Sequence, residues 1–451
     1  MCGEDDSIHS EETHLKDEHL LTGKKQIFFY GWWIVLVNFM ADFMAVGVGV
    51  YAFAVFIIPM TGALNWSRGA ISVAPSLRTM VAGLMGPVVG PFIDKRNGAR
   101  IVMGLGGVVA GVALILCSVV HAPWQFYLSF GILGAVGMSA SSFTVGSALI
   151  GKWFVRKRGR ALAFAGVGIS AGGVFLVPLA HELIDSFGWR FAWIVLGVIY
   201  WLLVVPASLL LIRRQPEDLG LLPDGAPASR LEQIVASPGS KTSQDSAEFG
   251  WTRQEAMRTP AAWLIVLSFN FSGLAAITIL VHEVAYFESI GISTGTAVTL
   301  FTLTAFCGAV GKVGWGFLAE RVNTRLCIIV GSAICIISLS VMLAFSNLNA
   351  ARFFAIFIGL GWGGFAVLQG LIWAEYFGRE HLGAIRGFFA PFNMISSVVG
   401  PVGAGMLYDL RGDYEFALSF LLGAWVMSIL TMSLARPPGI PERVVRVEFE
   451  P

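Results

Sequence analysis

The chain has 451 residues, of which 56% are hydrophobic, 12% aromatic and only 13% charged, with a mean hydropathy of +0.73. Soluble globular chains carry roughly 25% charged residues, so this composition excludes a soluble enzyme and identifies a membrane protein. The net charge of +1 makes no electrostatic case for an acidic partner, and no nucleic-acid partner is expected.

Residues 1–27 carry Glu11, Glu12, Asp17 and Glu18 together with His9, His14 and His19, and lack the apolar stretch of a signal peptide; they read as a disordered cytoplasmic tail. Nothing orders the three histidines, so no metal and no cofactor are expected. Six apolar spans follow within an N-terminal half, 28–213, at 30–59, 67–92, 100–121, 124–150, 159–182 and 188–213. Each is about 20 residues or longer, enough to cross a hydrocarbon core at 1.5 Å per residue. Residues 214–258, rich in Pro, Ser, Asp and Glu, cannot bury enough apolar surface to fold alone and read as a cytoplasmic linker. A C-terminal half, 259–436, holds six more spans at 260–288, 294–319, 324–346, 351–377, 383–409 and 413–436, and 437–451 is a second cytoplasmic tail. The expected fold is an all-α membrane protein with twelve transmembrane helices in two six-helix halves.

Charge placement gives the orientation. Most of the 30 Lys and Arg fall in the tails and the even-numbered loops; Arg68, Arg190, Arg352 and Arg411 fall on the other side, and Arg78 and Lys312 lie within spans. Lys and Arg are retained on the cytoplasmic side, which places both termini there in a multi-pass protein of the cell membrane. The lipid bilayer is then a constant partner. Cys2, Cys117, Cys307, Cys327 and Cys335 have neither metal-ligand spacing nor an external pair, and read as small core residues.

The halves resemble each other at a spacing of about 225 residues: Gly90, Asp94 and Lys95 match Gly316, Glu320 and Arg321; Trp153 and Phe154 match Tyr376 and Phe377; Asp185 and Gly188 match Asp409 and Gly412. Such a repeat indicates duplication of a six-helix unit in parallel. The second span ends in Gly90, Asp94, Lys95, Arg96, Gly98 and Arg100. A glycine there lets the helix end approach a neighbour. Asp94 can accept from the N-terminal N–H groups of a facing helix, where the dipole favours an anion, and the basic residues suit an anionic leaflet.

This doubled loop motif resembles the signature of the major facilitator superfamily. In that family the acidic residue latches the cytoplasmic gate in one of two access states, so the resemblance implies a gating role for Gly90, Asp94, Lys95, Arg96, Gly98 and Arg100 and for Glu320 and Arg321. A narrower likeness follows from Tyr30 to Trp33, Trp66 to Arg68, Lys152 to Phe154 with Arg156 to Arg160, Ala161 to Gly166, and Tyr376 to Gly387. These segments resemble the bacterial branch of the monocarboxylate transporter and oxalate/formate antiporter group. The resemblance implies a carrier of small carboxylates, with a proton or a counter-anion as coupling ion.

Charges inside the bilayer cost on the order of 2.5–3.5 kcal/mol each on insertion scales, so each needs a reason. Lys312, in the eighth span, stands where the monocarboxylate group has an Arg that pairs with the substrate carboxylate. Arg78, in the second span, lies 16 residues above Asp94, roughly 24 Å at the helical rise, too deep to snorkel easily. It can bind an anion or balance a buried acid, the obvious one being Asp42 in the first span. Asp42 is also the best candidate proton carrier. Tyr51, Asn270 and Trp362 complete the candidate substrate-binding set, with Asn38, Ser141, Ser142, Thr144 and Gln369 as further polar residues of spans expected to line the pathway. His282 and Glu283 lie near the outer end of the seventh span and are expected to face water. The chain departs from the group in two places: no Lys occurs late in the first span, where Tyr51 or Val55 stands, and the acidic position of the eighth span is Gly308. Proton symport and anion exchange therefore both stay open. The alternative in the same fold is an efflux carrier for a drug-like solute, although the fifth span lacks a Gly-Pro antiporter motif. A receptor or intramembrane enzyme finds no support in the spans.

Overall fold

The computed structural model describes residues 29–141, 143–225, 250–411 and 414–439. The tail 1–27, linker residues 226–249, nearly all of the tail 437–451 and Ser142 lie outside the described residues. Every regular element among those described is helical. Twelve long helices follow the chain: α1 (Gly31–Leu64), α2 (Arg68–Ile93), α3 (Gly98–Cys117), α4 (Pro123–Trp153), α5 (Arg158–Phe187), α6 (Trp189–Leu211), α7 (Pro260–Ser289), α8 (Thr294–Leu318), α9 (Thr324–Phe345), α10 (Leu348–Phe377), α11 (Leu382–Arg411) and α12 (Glu415–Leu434). Eleven are long and apolar enough to cross a membrane. The other, α11, carries Arg386, Pro391 and Pro401.

Helices form here because an apolar chain in lipid must satisfy its own backbone, and they stop where local chemistry stops them. Asn65 ends α1 in the left-handed region, at φ 55°, and the Ser67 hydroxyl then caps α2 by accepting from the Ala70 N–H at 3.1 Å. Ser346 and Asn347 repeat the device between α9 and α10, with Asn347 accepting from the Ala350 N–H at 3.0 Å. Pro260 and the Thr259 cap start α7.

Three helices are interrupted. A π-helical segment, Gly47–Ala52, sits in α1 and another, Tyr127–Leu133, in α4. α10 breaks at Gly364, where the Trp315 indole of α8 packs and donates to the Leu360 carbonyl at 2.8 Å. Continuous spans expected at 124–150 and 351–377 are thus jointed, which hydropathy cannot reveal because the joints are as apolar as the helix around them.

The packing pairs repeat between halves. α2 packs on α4, α3 on α4 and α6, and α1 on α5 and α6; in the second half α8 packs on α10, α9 on α10 and α12, and α7 on α11 and α12. The halves meet through α2 with α11, α5 with α8, and the last segments of α4 and α10 with α11, α5 and each other. The closest of these contacts, Gly86 and Gly90 with Gly383 and Gly387, and Gly159 with Gly316, lie toward the end that carries the loops 94–97, 154–157, 319–323 and 378–381, called here the motif face.

Glycines make that junction. A Cβ on Gly90 would strike the Gly383 carbonyl oxygen, and one on Gly387 would strike that of Gly86, so α2 and α11 touch backbone to backbone. Gly159 of α5 and Gly316 of α8 repeat the arrangement. This is small-residue packing of the kind that membrane helices use for close approach. The start of the polar linker is also ordered: Asp224 accepts from the backbone N–H groups of Val155, Arg156 and Lys157 at 3.1, 2.7 and 3.1 Å, folding Pro216–Gly225 under the first half. Gly387→Val, forcing a side chain into the α2–α11 contact, is expected to cost about 1–3 kcal/mol and to lower the thermal unfolding midpoint in detergent. An unchanged midpoint would contradict backbone contact at this crossing.

Candidate functional site

Two carboxylates bind across the halves at the motif face. Asp94, at the end of α2, accepts from the Gly383 N–H at 3.3 Å and the Ala384 N–H at 2.8 Å, which are unsatisfied donors at the start of α11. Lys152 of α4, fully buried, donates to the same carboxylate at 2.6 Å. Glu320, at the end of α8, is its counterpart: it accepts from the Arg160 N–H at 3.0 Å at the start of α5, and from the Arg160 guanidinium. Helix dipoles favour an anion at both places. Arg379 of the second half donates to the Lys152 carbonyl at 3.2 Å and pairs with Glu217 at 2.6 Å. Lys95, Arg96 and Arg321 are exposed and Arg100 half-buried. Lys95 lies over the Phe92 ring, and Gly98 admits the Phe92 carbonyl where a Cβ would clash.

The first half holds a polar cluster. Asp42 of α1 is fully buried and interacts electrostatically with Lys312 of α8 and Tyr200 of α6. The Tyr200 hydroxyl pairs with Ser141 at 2.7 Å. Arg78 interacts with Tyr200 and sits between the two π-helical segments: its guanidinium packs on Gly49 of the first, and its Cζ stands 6.0 Å from the ring centre of Phe130 in the second. Among the described residues no ion pair joins Arg78 to Asp42. Asn38 donates to the Ile34 carbonyl at 2.7 Å and packs on Gly146. Arg78, Thr144, Gly90 and Gly387 help to line a cavity of about 170 Å³ among α1, α2, α4 and α11.

Lys312 is 9% exposed and donates to the Gly166 carbonyl of α5 at 3.1 Å, so it spans the halves rather than reaching for the interface. It does not line the Arg78 cavity. Asn270 of α7 donates to the Val266 carbonyl at 2.9 Å, leaving its amide oxygen buried without a hydrogen bond. Its neighbour Phe269 meets Phe365, which stacks on Trp362 at 4.8 Å, with Trp425 edge-on. Tyr51, in the α1 π-helical segment, lies against Gly173 of α5 and is 43% exposed. Within the candidate set, then, Asp42 lies in the field of Lys312 and shares Tyr200 with Arg78, while Tyr51 and the α10 aromatic group stand apart.

Two expectations need correction. Glu283 is not in water: it is 2% exposed and takes a hydrogen bond from Thr304 of α8 at 2.6 Å, its second oxygen having none. The neighbouring His282 contacts the Pro401 carbonyl and Tyr414 instead. Arg386, counted with the loop charges, is a buried residue of α11 whose guanidinium bonds Ser147 of α4. Lys152 was visible only as part of a loop motif. Sequence could have flagged Arg386, four residues past the start of α11, but not its partner. Gly168, Ser170 and Gly172 spell an esterase-like pattern inside α5, yet both glycines pack on α1 carbonyls of Phe39 and Phe43. They form a helix crossing and no nucleophile turn.

The family model for the Major Facilitator Superfamily matches residues 32–401 and again 264–448. Monocarboxylate transporter 12 of Xenopus laevis is 26% identical over 377 residues, covering 80% of this chain and 78% of its own. The MFS-type transporter pynF of Aspergillus niger is 27% identical over 439 residues, covering 95% and 94%. Among solved structures, the proton:xylose symporter XylE bound to 6-bromo-6-deoxy-D-glucose superposes with a TM-score of 0.66 at 14% identity, covering 90% of this chain and 96% of that one.

If the carboxylate-to-N-terminus bonds hold the motif face shut, Asp94→Ala is expected to raise alkylation of a cysteine placed at Thr144, which lines the cavity, by about tenfold or more, and Asp94→Asn, which keeps an acceptor, by less. Equal rates in wild type and both variants would show that the Asp94 bonds are not needed to keep it closed.

Proposed function

The chain belongs to the major facilitator superfamily, and on that premise we propose that this multi-pass membrane transporter carries small organic anions, monocarboxylates above all, by alternating access. The observation that supports this reading most is Lys312: a buried ammonium at the junction of the halves whose hydrogen-bond acceptor is a neutral main-chain carbonyl. A charge costs far less when an opposite charge meets it, and an incoming carboxylate supplies one. Relatives named monocarboxylate transporters support the same class.

Asp42 supplies the competing charge for such a cycle. It lies in the field of Lys312, so a substrate carboxylate competes with it for the ammonium. If the displaced acid takes a proton, transport is symport; if a second anion replaces the first, it is exchange. Arg78 offers a second cation beside the cavity, fixed by Gly49 and Phe130, with Tyr51, Asn270 and Trp362 as further substrate contacts. Asp94 and Glu320, with Gly90, Lys95, Arg96, Gly98, Arg100 and Arg321 around them, act as the gate, and the motif face is the cytoplasmic face of the cell membrane, with both termini on it.

The second reading, an efflux carrier for a drug-like solute, draws on the aromatic group of Phe269, Trp362, Phe365 and Trp425, which offers apolar surface. Counterflow of labelled lactate, pyruvate, oxalate and formate in proteoliposomes decides between them: carboxylate exchange is expected, whereas movement of a drug with no carboxylate flux would reject the anion reading. Lys312→Ala is expected to cut carboxylate counterflow about 10- to 100-fold, the worth of a charge-assisted bond, and Lys312→Arg to restore part of it. Asp42→Asn separates the coupling modes, since exchange persists while uptake driven by a pH gradient disappears if Asp42 carries the proton.

A further inference from the structure

Arg386 is 7% exposed and lies on the motif-face side of the bundle, in the first turns of α11. Its guanidinium bonds the hydroxyl of Ser147 on α4, in the opposite half. Around Ser147 the closed end is tight, with Gly370 of α10 and Leu162 of α5 packed together beside it. Among the described residues no carboxylate forms an ion pair with Arg386. Lys312 at least has Asp42. Arg386 is a buried cation in a membrane protein with one neutral oxygen for company, and such a group is expensive unless an anion visits it.

Its place says when the visit occurs. The hydrogen bond to Ser147 crosses the junction between α4 and α11, one of the contacts that seal the motif face. Rocking of the halves that opens this face separates those helices, and the bond cannot survive the separation. The guanidinium is then left facing the newly opened vestibule, with its planar donor fork suited to a carboxylate. We propose that Arg386 is a release-side anion site: it is capped by Ser147 while the motif face is shut and takes the carboxylate when that face opens. An anion bound there favours the open state, because only that state offers the site.

The inference rests on the anion-carrier reading, and the experiment separates the two. Half-saturation for labelled lactate or oxalate is measured from each face in right-side-out and inside-out vesicles. Wild-type vesicles without carboxylate flux would sink the carrier reading itself. Given wild-type flux, Arg386→Gln is expected to raise the half-saturation concentration at the motif face about tenfold or more and leave the far face within about twofold; Arg386→Lys should fall between. Ser147→Ala removes the closed-state cap but keeps the cation, and is expected to lower half-saturation at the motif face alone. Equal shifts at both faces, or no shift, would overturn the inference. Should Arg386→Gln abolish flux altogether, the Ser147→Ala result decides: a motif-face-only decrease supports the site and any other outcome rejects it.

Discussion

The closed motif face depends on how near two pairs of helices can come. Where Gly86 and Gly90 face Gly383 and Gly387, and where Gly159 faces Gly316, main chain rests on main chain. That approach is what brings the Asp94 carboxylate within reach of the Gly383 and Ala384 amides, and Glu320 within reach of Arg160. Each acid thereby satisfies donors that a helix start would otherwise leave orphaned. Bulkier residues at the crossings would hold the helices apart and strand both the acids and the amides. Packing and electrostatics at this end are one arrangement, used twice through the internal repeat.

Deeper in the bundle the logic inverts. The motif-face charges are well paired: Asp94 with Lys152, Glu320 with Arg160, Glu217 with Arg379. The membrane-embedded cations have weaker company: Lys312 a carbonyl and the field of Asp42, Arg386 a hydroxyl, Arg78 a phenol, a ring and a bare glycine. Neutral acceptors keep such groups soluble in the protein without consuming the charge. Such resting contacts cost little to give up, so each of these cations can exchange partners when the helices around it move.

The jointed helices fit the same division. α1 and α4 carry their π-helical segments beside Arg78, and α10 breaks beside Trp362. π-turns and breaks concentrate at functional places because they re-aim side chains and free backbone groups. In the second half Trp315 occupies the break and satisfies a carbonyl there; in the first half Gly49 makes the room that a guanidinium fills.

Sequence by itself determined the number and placement of the helices, the duplication and the loop acids, because hydrophobic length, small-residue patterns and the repeat are written locally along the chain. Span ends at Pro260, Thr324 and Ile93 fall within a few residues of those read from hydropathy. It also singled out Lys312, Arg78 and Asp42, since a lone charge in an apolar run is visible to the eye. Only the tertiary structure decided which charges meet. The bond of Lys312 to the Gly166 carbonyl, the burial of Glu283 against Thr304, and the seating of Arg386 on Ser147 each join different helices. Those pairings follow from helix rotation and crossing angle. A change of one residue in register turns a side chain by about 100°, and no local pattern of hydropathy records that angle.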